Sequence, residues 1–226
     1  MRIAILGGSF NPLHIGHCML ADTVAQELGY DRVLFVPAFI PPHKEMRGAV
    51  PAADRLAMIE RFCADSRDGG GPRFFAEDCE IRRGGVSYTL DTLQYILGAY
   101  ASELDGKPGL VMGQEVAAQF GKWHCAAEVA AAADLILARR HPDANRIAVA
   151  GFENRPAEGY ADDFADGGLG CGFAWPHRML ENPVLPVSST EIRARIAQGK
   201  SWRYLVPDAV FRYIRERHFY ECAEGW

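Results

Sequence analysis

The sequence lacks an apolar run long enough to cross a membrane. A membrane-spanning helix needs about 18 or more apolar residues, whereas the alanine-rich stretch 126–138 is interrupted by Glu128 and Asp134. The apolar segment at the start of the chain breaks at Gly7-Gly8, which leaves it too short for the core of a signal peptide. We therefore expect no membrane partner.

Clustered cysteines are also missing. The two nearest of the six cysteines, Cys63 and Cys79, are 16 positions apart, and no Cys-x-x-Cys pair or Cys/His cluster is present. This spacing excludes a structural zinc site and a thioredoxin-like redox motif. Scattered thiols without an export signal predict a reducing, cytoplasmic location.

A surplus of basic charge is absent as well. The chain has 24 Lys and Arg against 29 Asp and Glu, which gives a formal charge of −5. A protein that binds the nucleic-acid backbone normally shows the opposite balance, so we expect no nucleic-acid partner. The 226 residues are enough for one domain, 1–226, with its own core. The oligomeric state is left open.

Short apolar runs alternate with helical patterns along the chain. Most of these runs lack polar alternation, which is typical of parallel strands buried on both faces. The predicted fold is therefore α/β, a Rossmann-like doubly wound parallel sheet with helices on both faces. The predicted strands are 3–6, 33–36, 74–76, 110–112, 135–138 and a stretch that ends at Val187.

Four amphipathic windows predict helices. The first spans 17–28 and ends at Gly29, the second is capped by Asp54, the third opens at Thr89, and the last begins after Pro207 within a C-terminal helical part, 190–226. Two segments are predicted to be irregular. Residues 40–53 contain three prolines, and 151–172, with six glycines and five acidic residues, is predicted to be a flexible or inserted segment.

The unusual residues follow the predicted strands directly. Open α/β sheets bind their ligands at the carboxyl ends of the strands, so these residues are expected to converge there. They are Gly7-Gly8-Ser9, Pro41-Pro42-His43-Lys44, Ser87-Tyr88-Thr89, Gly113, Arg139-Arg140 and Ser188-Ser189-Thr190.

The motif at 7–17, Gly-Gly-Ser-Phe-Asn-Pro-Leu-His-Ile-Gly-His, places two imidazoles at the start of a helix. His14 and His17 are three residues apart and therefore share a helix face. The helix N-terminus adds N–H groups and partial positive charge, and Gly16 permits close approach. These features suit a phosphate chain. The motif is neither GxGxxG nor a Walker A loop.

Two further segments carry phosphate-binding chemistry. In Val-Ser-Ser-Thr-Glu-Ile-Arg, residues 187–193, Ser188 and Glu191 form a capping-box pattern, which is a structural role in itself. The additional hydroxyls and Arg193 offer donors and a cation for phosphoryl oxygens. Lys44 lies in a loop that could close over a triphosphate.

Two further motifs each have a possible binding role. Free N–H groups at the helix start near Thr89 could bind a carboxylate or phosphate, although Thr89 is equally expected to cap the helix. Trp123 could stack on a ring near a strand end, although a single Trp is also a common core residue.

Together these motifs resemble the nucleotidyltransferases with an HxGH element. The set completed by Pro-Pro-His-Lys, Ser-Tyr-Thr-Leu-Asp-Thr-Leu, the Trp after the fourth strand and Ser-Ser-Thr-Glu-Ile-Arg resembles most closely the bacterial nicotinate-nucleotide adenylyltransferase family. The resemblance runs from residue 3 to about 220, in the family's order. It implies adenylyl transfer from ATP to nicotinate mononucleotide, with Mg²⁺ held mainly by the ATP phosphates.

The resemblance also implies roles for individual residues. His14, His17, Lys44 and Arg193 would be catalytic, through contact with the phosphates. Tyr88, Thr89, Trp123 and Glu115 would bind nicotinate mononucleotide. The residues that it assigns to ATP binding are Gly8, Ser9, Phe10, Gly16, Gly113, Ser188, Ser189 and Thr190. The chain departs from the family at Asn11 and Glu115, where Asp is usual, and in 151–172.

Several alternatives share part of this pattern. Pantetheine-phosphate adenylyltransferases and glycerol-phosphate cytidylyltransferases also have HxGH, but neither resemblance explains 87–89 or Trp123. Class I aminoacyl-tRNA synthetases can contain His-Ile-Gly-His, but this chain has no KMSKS-like loop and is too short. A nucleotide-binding regulator without catalysis and an enzyme specific for nicotinamide mononucleotide are left open.

Overall fold

A parallel six-stranded sheet forms the centre of the computed structural model, which describes residues 1–42, 48–66, 73–139 and 173–222. The strands are β1 Ile3–Gly8, β2 Arg32–Pro37, β3 Arg73–Ala76, β4 Gly109–Gly113, β5 Asp134–Ala138 and β6 His177–Leu180. Their order is β3-β2-β1-β4-β5-β6, and every neighbouring pair is parallel. This architecture confirms the predicted doubly wound α/β fold.

Helices cover both faces of the sheet. They are α1 Ile15–Leu28, α2 Ala52–Asp65, α3 Cys79–Arg83, α4 Thr89–Ala99, α5 Gln114–Ala117, α6 Ala126–Ala132, α7 Ser189–Ala197 and α8 Asp208–Glu216. The predicted ends are confirmed for α1, which stops at the left-handed Gly29, and for α8, which begins after Pro207.

The alternation of side chains along β1 divides the core into two. Ala4 and Leu6 pack into one hydrophobic cluster, which includes residues of α1, α2, α7 and α8. Ile3 and Ile5 point to the opposite face and pack into a second cluster with residues of α4 and α6. Both faces of the sheet are therefore dry, which explains why the strands are uninterrupted apolar runs.

Two predicted boundaries were wrong. The sixth strand is His177–Leu180 and not a stretch ending at Val187, because Pro183 and Pro186 have no N–H to donate to a strand ladder. The predicted loop 40–53 ends earlier, since α2 begins at Ala52.

Asp54 does not cap α2. The N-cap is Pro51, and the Asp54 carboxylate, inside the first turn, accepts a hydrogen bond from the Tyr213 hydroxyl at 2.8 Å and pairs with Arg217 at 3.3 Å. Asp54 thus ties α2 to the C-terminal part of the chain.

The strand order reverses between β1 and β4. Leu6 of β1 pairs with Val111 of β4, and the glycines Gly8 and Gly113 each lie two residues beyond this pair. Neighbouring strands at such a reversal send their connections to opposite faces, which opens a crevice at the carboxyl edge. Within the described ranges, no helix has the length and apolar character needed to span a membrane.

Candidate active site

The turn after β1, residues 8–12 and called here the glycine turn, lies at this crevice. Phe10 adopts a positive φ of 45°, and its side chain is fully buried, with the ring 5.7 Å from that of Phe35. A Cβ on Gly8 would lie 3.1 Å from the Phe10 ring, so a larger residue at that position would have to displace the ring slightly. The buried phenyl ring anchors the turn to the core.

Four carbonyl oxygens of the glycine turn accept hydrogen bonds from other parts of the chain. The donors are Ala38 N to Gly8 O at 2.9 Å, Arg55 Nη1 to Ser9 O at 2.8 Å, Arg193 Nη1 to Asn11 O at 2.7 Å and Ser189 Oγ to Pro12 O at 2.9 Å. In a planar trans peptide the C=O and the next N–H point in opposite directions. The Ser9 N–H therefore points away from Ala38, and the Phe10 N–H points away from Arg55. Concave arrangements of such N–H groups bind anions.

The two histidines meet at the start of α1. His14 is the N-cap residue, and its ring lies 3.7 Å from that of His17, with only 25° between the ring planes. The His14 N–H donates to His17 Nδ1 at 3.3 Å, while the His17 ring meets Phe10 edge-on at 4.9 Å. His14 is buried and His17 half-buried. The structure thus brings the two imidazoles together as the sequence predicts.

Gly16 packs inside this arrangement. A Cβ on Gly16 would lie 3.0 Å from Val187 Cγ1 and 3.1 Å from His14 Cε1. Any larger residue would have to push the imidazole or the segment before α7 aside. The glycine therefore allows His14 and Val187 to approach α1 closely.

The N-terminus of α7 lies against the glycine turn. Ser188 is the N-cap residue, and its hydroxyl accepts from Glu191 N at 3.2 Å, as the capping pattern predicts. Ser189 and Arg193 hold the glycine turn, and Arg193 Nη2 also reaches the exposed Thr190 hydroxyl at 3.4 Å. The two predicted phosphate-binding elements, 177 positions apart at Pro12 and Ser189, are thus joined by direct hydrogen bonds.

Two guanidinium groups lie beside the glycine turn without an ion pair to any carboxylate of the described residues. Arg55 is 2% exposed and Arg193 half-buried, and desolvation lowers the pKa of both groups. Their bonds to the turn go to neutral carbonyl oxygens. The positive charge is therefore not neutralised there by an ion pair within the described residues, and in this poorly solvated setting it favours an anionic ligand.

A second cluster, of aromatic residues, follows β4 and the start of α4. The half-buried Tyr88 lies 4.6 Å from His124, and the ring of Trp123 lies 5.1 Å from that of Phe120, which is fully buried. The Ser87 hydroxyl accepts from Phe39 N at 3.0 Å, which joins this cluster to the segment after β2. Flat apolar surfaces thus line one end of the crevice.

The predicted cap of α4 was wrong by one residue. Tyr88 is the N-cap, with extended backbone and no side-chain cap, and Thr89 is the first helical residue. No side-chain cap therefore binds the N–H groups of the first turn of α4, and a ligand could accept hydrogen bonds from them. Such a terminus retains its preference for an anion.

Gly113 and Glu115 lie at the carboxyl end of β4. Gly113 is the N-cap of α5, and Glu115 belongs to its first turn. The Glu115 carboxylate folds back over Gly113, since a Cβ there would lie 2.7 Å from Oε2. The longer side chain at 115 thus occupies space above the strand end that the glycine leaves open.

Comparison with known proteins agrees with this geometry. A model of the cytidylyltransferase-like family matches residues 5–195. The chain is 38% identical over 220 residues to a protein of Treponema pallidum named "Probable nicotinate-nucleotide adenylyltransferase", covering 97% of this chain and 99% of that one. A protein of the same name from Borreliella afzelii is 31% identical over 97% of both chains. The chain belongs to the nicotinate-nucleotide adenylyltransferase family.

This nucleotidyltransferase shares its fold with more distant relatives. The Plasmodium falciparum nicotinic acid mononucleotide adenylyltransferase complexed with NaAD superposes with a TM-score of 0.68 at 14% identity, over 99% of both chains. At that identity the likeness concerns the fold alone.

The sequence analysis did not identify two side chains that donate hydrogen bonds to the glycine turn of this family member, those of Arg55 and Tyr220. A signal for Arg55 was available, because it lies on the apolar side of α2 with Met58, Ile59 and Phe62, where a charged residue is out of place. Tyr220 gave no such signal. Its hydroxyl donates to Asn11 Oδ1 at 2.6 Å, across 209 positions of sequence.

Two predictions fall outside the described ranges. Lys44, assigned to the triphosphate, belongs to 43–47, and the segment 151–172 belongs to 140–172. The role of Lys44 stays a prediction, as do the roles of the other site residues.

A buried carboxyl next to the second cluster yields a prediction on stability. Burial raises the pKa of Glu80, which accepts a hydrogen bond from Thr92 Oγ1 at 2.6 Å. The folded state thus favours the protonated form, and this contribution to stability is present below the unfolded pKa of about 4.3 and lost as the pH rises through the folded value. Glu80→Gln, which keeps the acceptor oxygen and removes the charge, should raise Tm relative to wild type at pH 7.5.

The difference should shrink as the pH falls towards 4, when wild-type Glu80 takes up its proton. Thermal unfolding of both proteins at several pH values would measure it. A Tm difference that is independent of pH would contradict burial of the charge as its cause.

Proposed function

We propose that this chain transfers the adenylyl group of ATP to nicotinate mononucleotide, forming nicotinate adenine dinucleotide and pyrophosphate, a step of NAD biosynthesis. The proposal rests on one observation. Hydrogen bonds join the N-terminus of α7 to the glycine turn, next to the stacked rings of His14 and His17. This arrangement gathers N–H groups, imidazoles and an arginine at one strand edge, as a triphosphate requires.

The acceptor end of the site suits a pyridine ring that carries a carboxylate. Trp123 and Tyr88 offer aromatic faces, and the N-terminus of α4 offers N–H groups and partial positive charge. Relatives at 38% and 31% identity over nearly the whole chain bear the name of this activity. Both lines of support favour nicotinate mononucleotide over phosphopantetheine.

The reaction needs no general base in the protein. The 5′-phosphate of the mononucleotide has a second pKa of about 6, so it is already a nucleophile at neutral pH. Its oxygen forms a bond to the α-phosphorus of ATP as the bond from that phosphorus to the bridging oxygen breaks, and pyrophosphate leaves with the electron pair. The protein aligns the two substrates and stabilises the charge on the transferred and departing groups.

Polar and positively charged groups that could do this lie beside the glycine turn. His14 and His17 stand at the start of α1, and Ser189 and Arg193 of α7 donate hydrogen bonds to the turn. Lys44 would add a further cation. The Ser9 N–H, turned away from Ala38, and the Phe10 N–H, turned away from Arg55, would donate hydrogen bonds to phosphoryl oxygens.

The metal would enter as the MgATP substrate. Residues 1–42, 48–66, 73–139 and 173–222 contain no group of three or more His, Cys, Asp or Glu side chains that could hold a metal ion. Mg²⁺ commonly keeps several waters and binds substrate phosphates. The ion would therefore be held by the triphosphate and water, where it neutralises phosphate charge. We also propose a cytoplasmic location, because the described cysteines Cys18, Cys79 and Cys125 form no disulfide.

The direct test is pyrophosphate release from ATP and Mg²⁺ with nicotinate mononucleotide, nicotinamide mononucleotide or phosphopantetheine offered separately. We expect turnover with the nicotinate form and a lower kcat/KM with the nicotinamide form. Turnover with phosphopantetheine alone would overturn the acceptor, and ATP binding without any turnover would indicate a regulator.

Replacement of Trp123 tests the pyridine end. Stacking on an aromatic side chain contributes about 1–3 kcal/mol per base, so Trp123→Ala should raise KM for nicotinate mononucleotide about tenfold or more and leave KM for ATP unchanged. Trp123→Phe keeps a smaller face and should recover part of the loss. Equal increases of KM for both substrates would mean that Trp123 supports the fold and does not contact the pyridine.

A further inference from the structure

Asn11, in the glycine turn, is bound by three separate segments of the chain, two through its side chain and one through its backbone oxygen. Its Oδ1 accepts from the Tyr220 hydroxyl at 2.6 Å and from Val50 N at 3.3 Å, while its backbone oxygen accepts from Arg193. Asn11 is itself buried. The shape of the turn between β1 and α1 therefore depends on residues from the opposite end of the chain.

An unusual backbone conformation places Tyr220 next to Asn11. It lies in a short 3₁₀ segment, Phe219–Glu221, and has φ 61° and ψ 32°. His218 and Glu221 also have positive φ, at 51° and 63°. Such conformations are unfavourable for residues with side chains and persist only where the surroundings hold them. The hydrogen bond to Asn11 is one contact that holds this segment in place.

Arg55 supports the same turn from the core side. Its guanidinium is almost completely buried and donates to Ser9 O at 2.8 Å, while its Nε has no hydrogen-bond partner among the described residues. Burying a cation without a carboxylate partner is costly. A hydrophobic residue would pack at this position at lower cost, so the group is better explained by its effect on the turn.

We propose that Tyr220 and Arg55 are positioning residues for the triphosphate, which fix the Asn11 side chain and the Ser9 carbonyl so that the glycine turn presents its N–H groups to ATP. The C-terminal segment 219–221 is then part of the ATP site. This inference rests on the proposed function for the identity of the nucleotide. It does not depend on which acceptor the enzyme uses.

Tyr220→Phe removes only the hydroxyl and is the first test. The loss of one hydrogen bond should raise KM for MgATP about five- to tenfold, with KM for the mononucleotide unchanged. Tyr213→Phe is the matched control, because it removes a buried hydroxyl that donates to Asp54 at 2.8 Å and does not contact the glycine turn. It should lower Tm to a similar extent without changing KM for MgATP.

Arg55→Met provides a second, independent variant. Hydrogen bonds from a charged donor are stronger, so the expected loss of ATP affinity is about ten- to a hundredfold. In the double variant with Tyr220→Phe, the fold loss of ATP affinity should be smaller than the product of the two single losses, because both changes loosen the same turn.

Direct binding separates this inference from the proposed function. Titration with an ATP analogue that has a methylene group between the α- and β-phosphorus needs no acceptor, so it remains informative even if no mononucleotide turns over. Weaker binding by Tyr220→Phe and not by Tyr213→Phe supports the inference. Equal binding by both variants, or an equal rise of KM for both substrates in Tyr220→Phe, would overturn it.

Discussion

Replacing His17 by alanine is expected to lower kcat for pyrophosphate release about 10²–10³-fold, the usual cost of losing one donor to the transition state. His17 is half-buried at the third position of α1, between the rings of His14 and Phe10. Its imidazole is therefore held in one place, next to the N-terminus of the helix. Steady-state kinetics at saturating substrates would measure the loss, with thermal unfolding as the check that the variant is folded.

His17→Asn distinguishes catalysis from a structural contribution. The asparagine oxygen takes about the place of Nδ1 and can still accept from His14 N, as His17 does at 3.3 Å. It cannot replace the Nε2 edge of the ring. We expect it to lose as much activity as His17→Ala while unfolding at a temperature closer to wild type. Recovery of wild-type kcat would show that His17 serves only to cap α1.

Replacing Arg193 by lysine is expected to lower kcat/KM for ATP about 10²-fold. The planar guanidinium donates through Nη1 to Asn11 O at 2.7 Å and through Nη2 to Thr190 Oγ1 at 3.4 Å. A lysine keeps the charge, but its single ammonium cannot reproduce this fork while facing a phosphate. Arg193 therefore contributes both the shape of the glycine turn and the charge beside it.

Arg195→Lys is the matched control on the same helix. Arg195 pairs with Glu191 at 2.9 Å, and its contacts with Glu191 and Ser201 do not involve the glycine turn. Such ion pairs contribute about 0–1 kcal/mol, so this variant should keep nearly full activity. Similar losses in both variants would mean that the effect comes from α7 as a whole, and unchanged kinetics in Arg193→Lys would remove Arg193 from the site.

The sequence alone determined the fold class and the main motifs, because these depend on local patterns. Uninterrupted apolar runs mark strands buried on both faces, so five of the six strands were predicted in the right places. The pair His14 and His17 and the cap at Ser188 follow from spacing within a single helix turn. The sixth strand was placed wrongly. The apolar residues before Val187 look like a strand, but Pro183 and Pro186 among them cannot donate to a strand ladder.

Only the tertiary structure decided how these motifs meet. That Ser189 and Arg193 hold the glycine turn follows from the position of the α7 N-terminus against that turn, which no local pattern encodes. Arg55 and Tyr220 are the clearest cases. The position of Arg55 on the apolar side of α2 indicates that it is buried but not which group it contacts, and no local pattern marks Tyr220 at all. The role proposed for each rests on a hydrogen bond to a residue far away in the sequence, from Arg55 to Ser9 and from Tyr220 to Asn11. Spacing along the chain predicts neighbours on one element, whereas contacts between elements are set by the packing of the whole core.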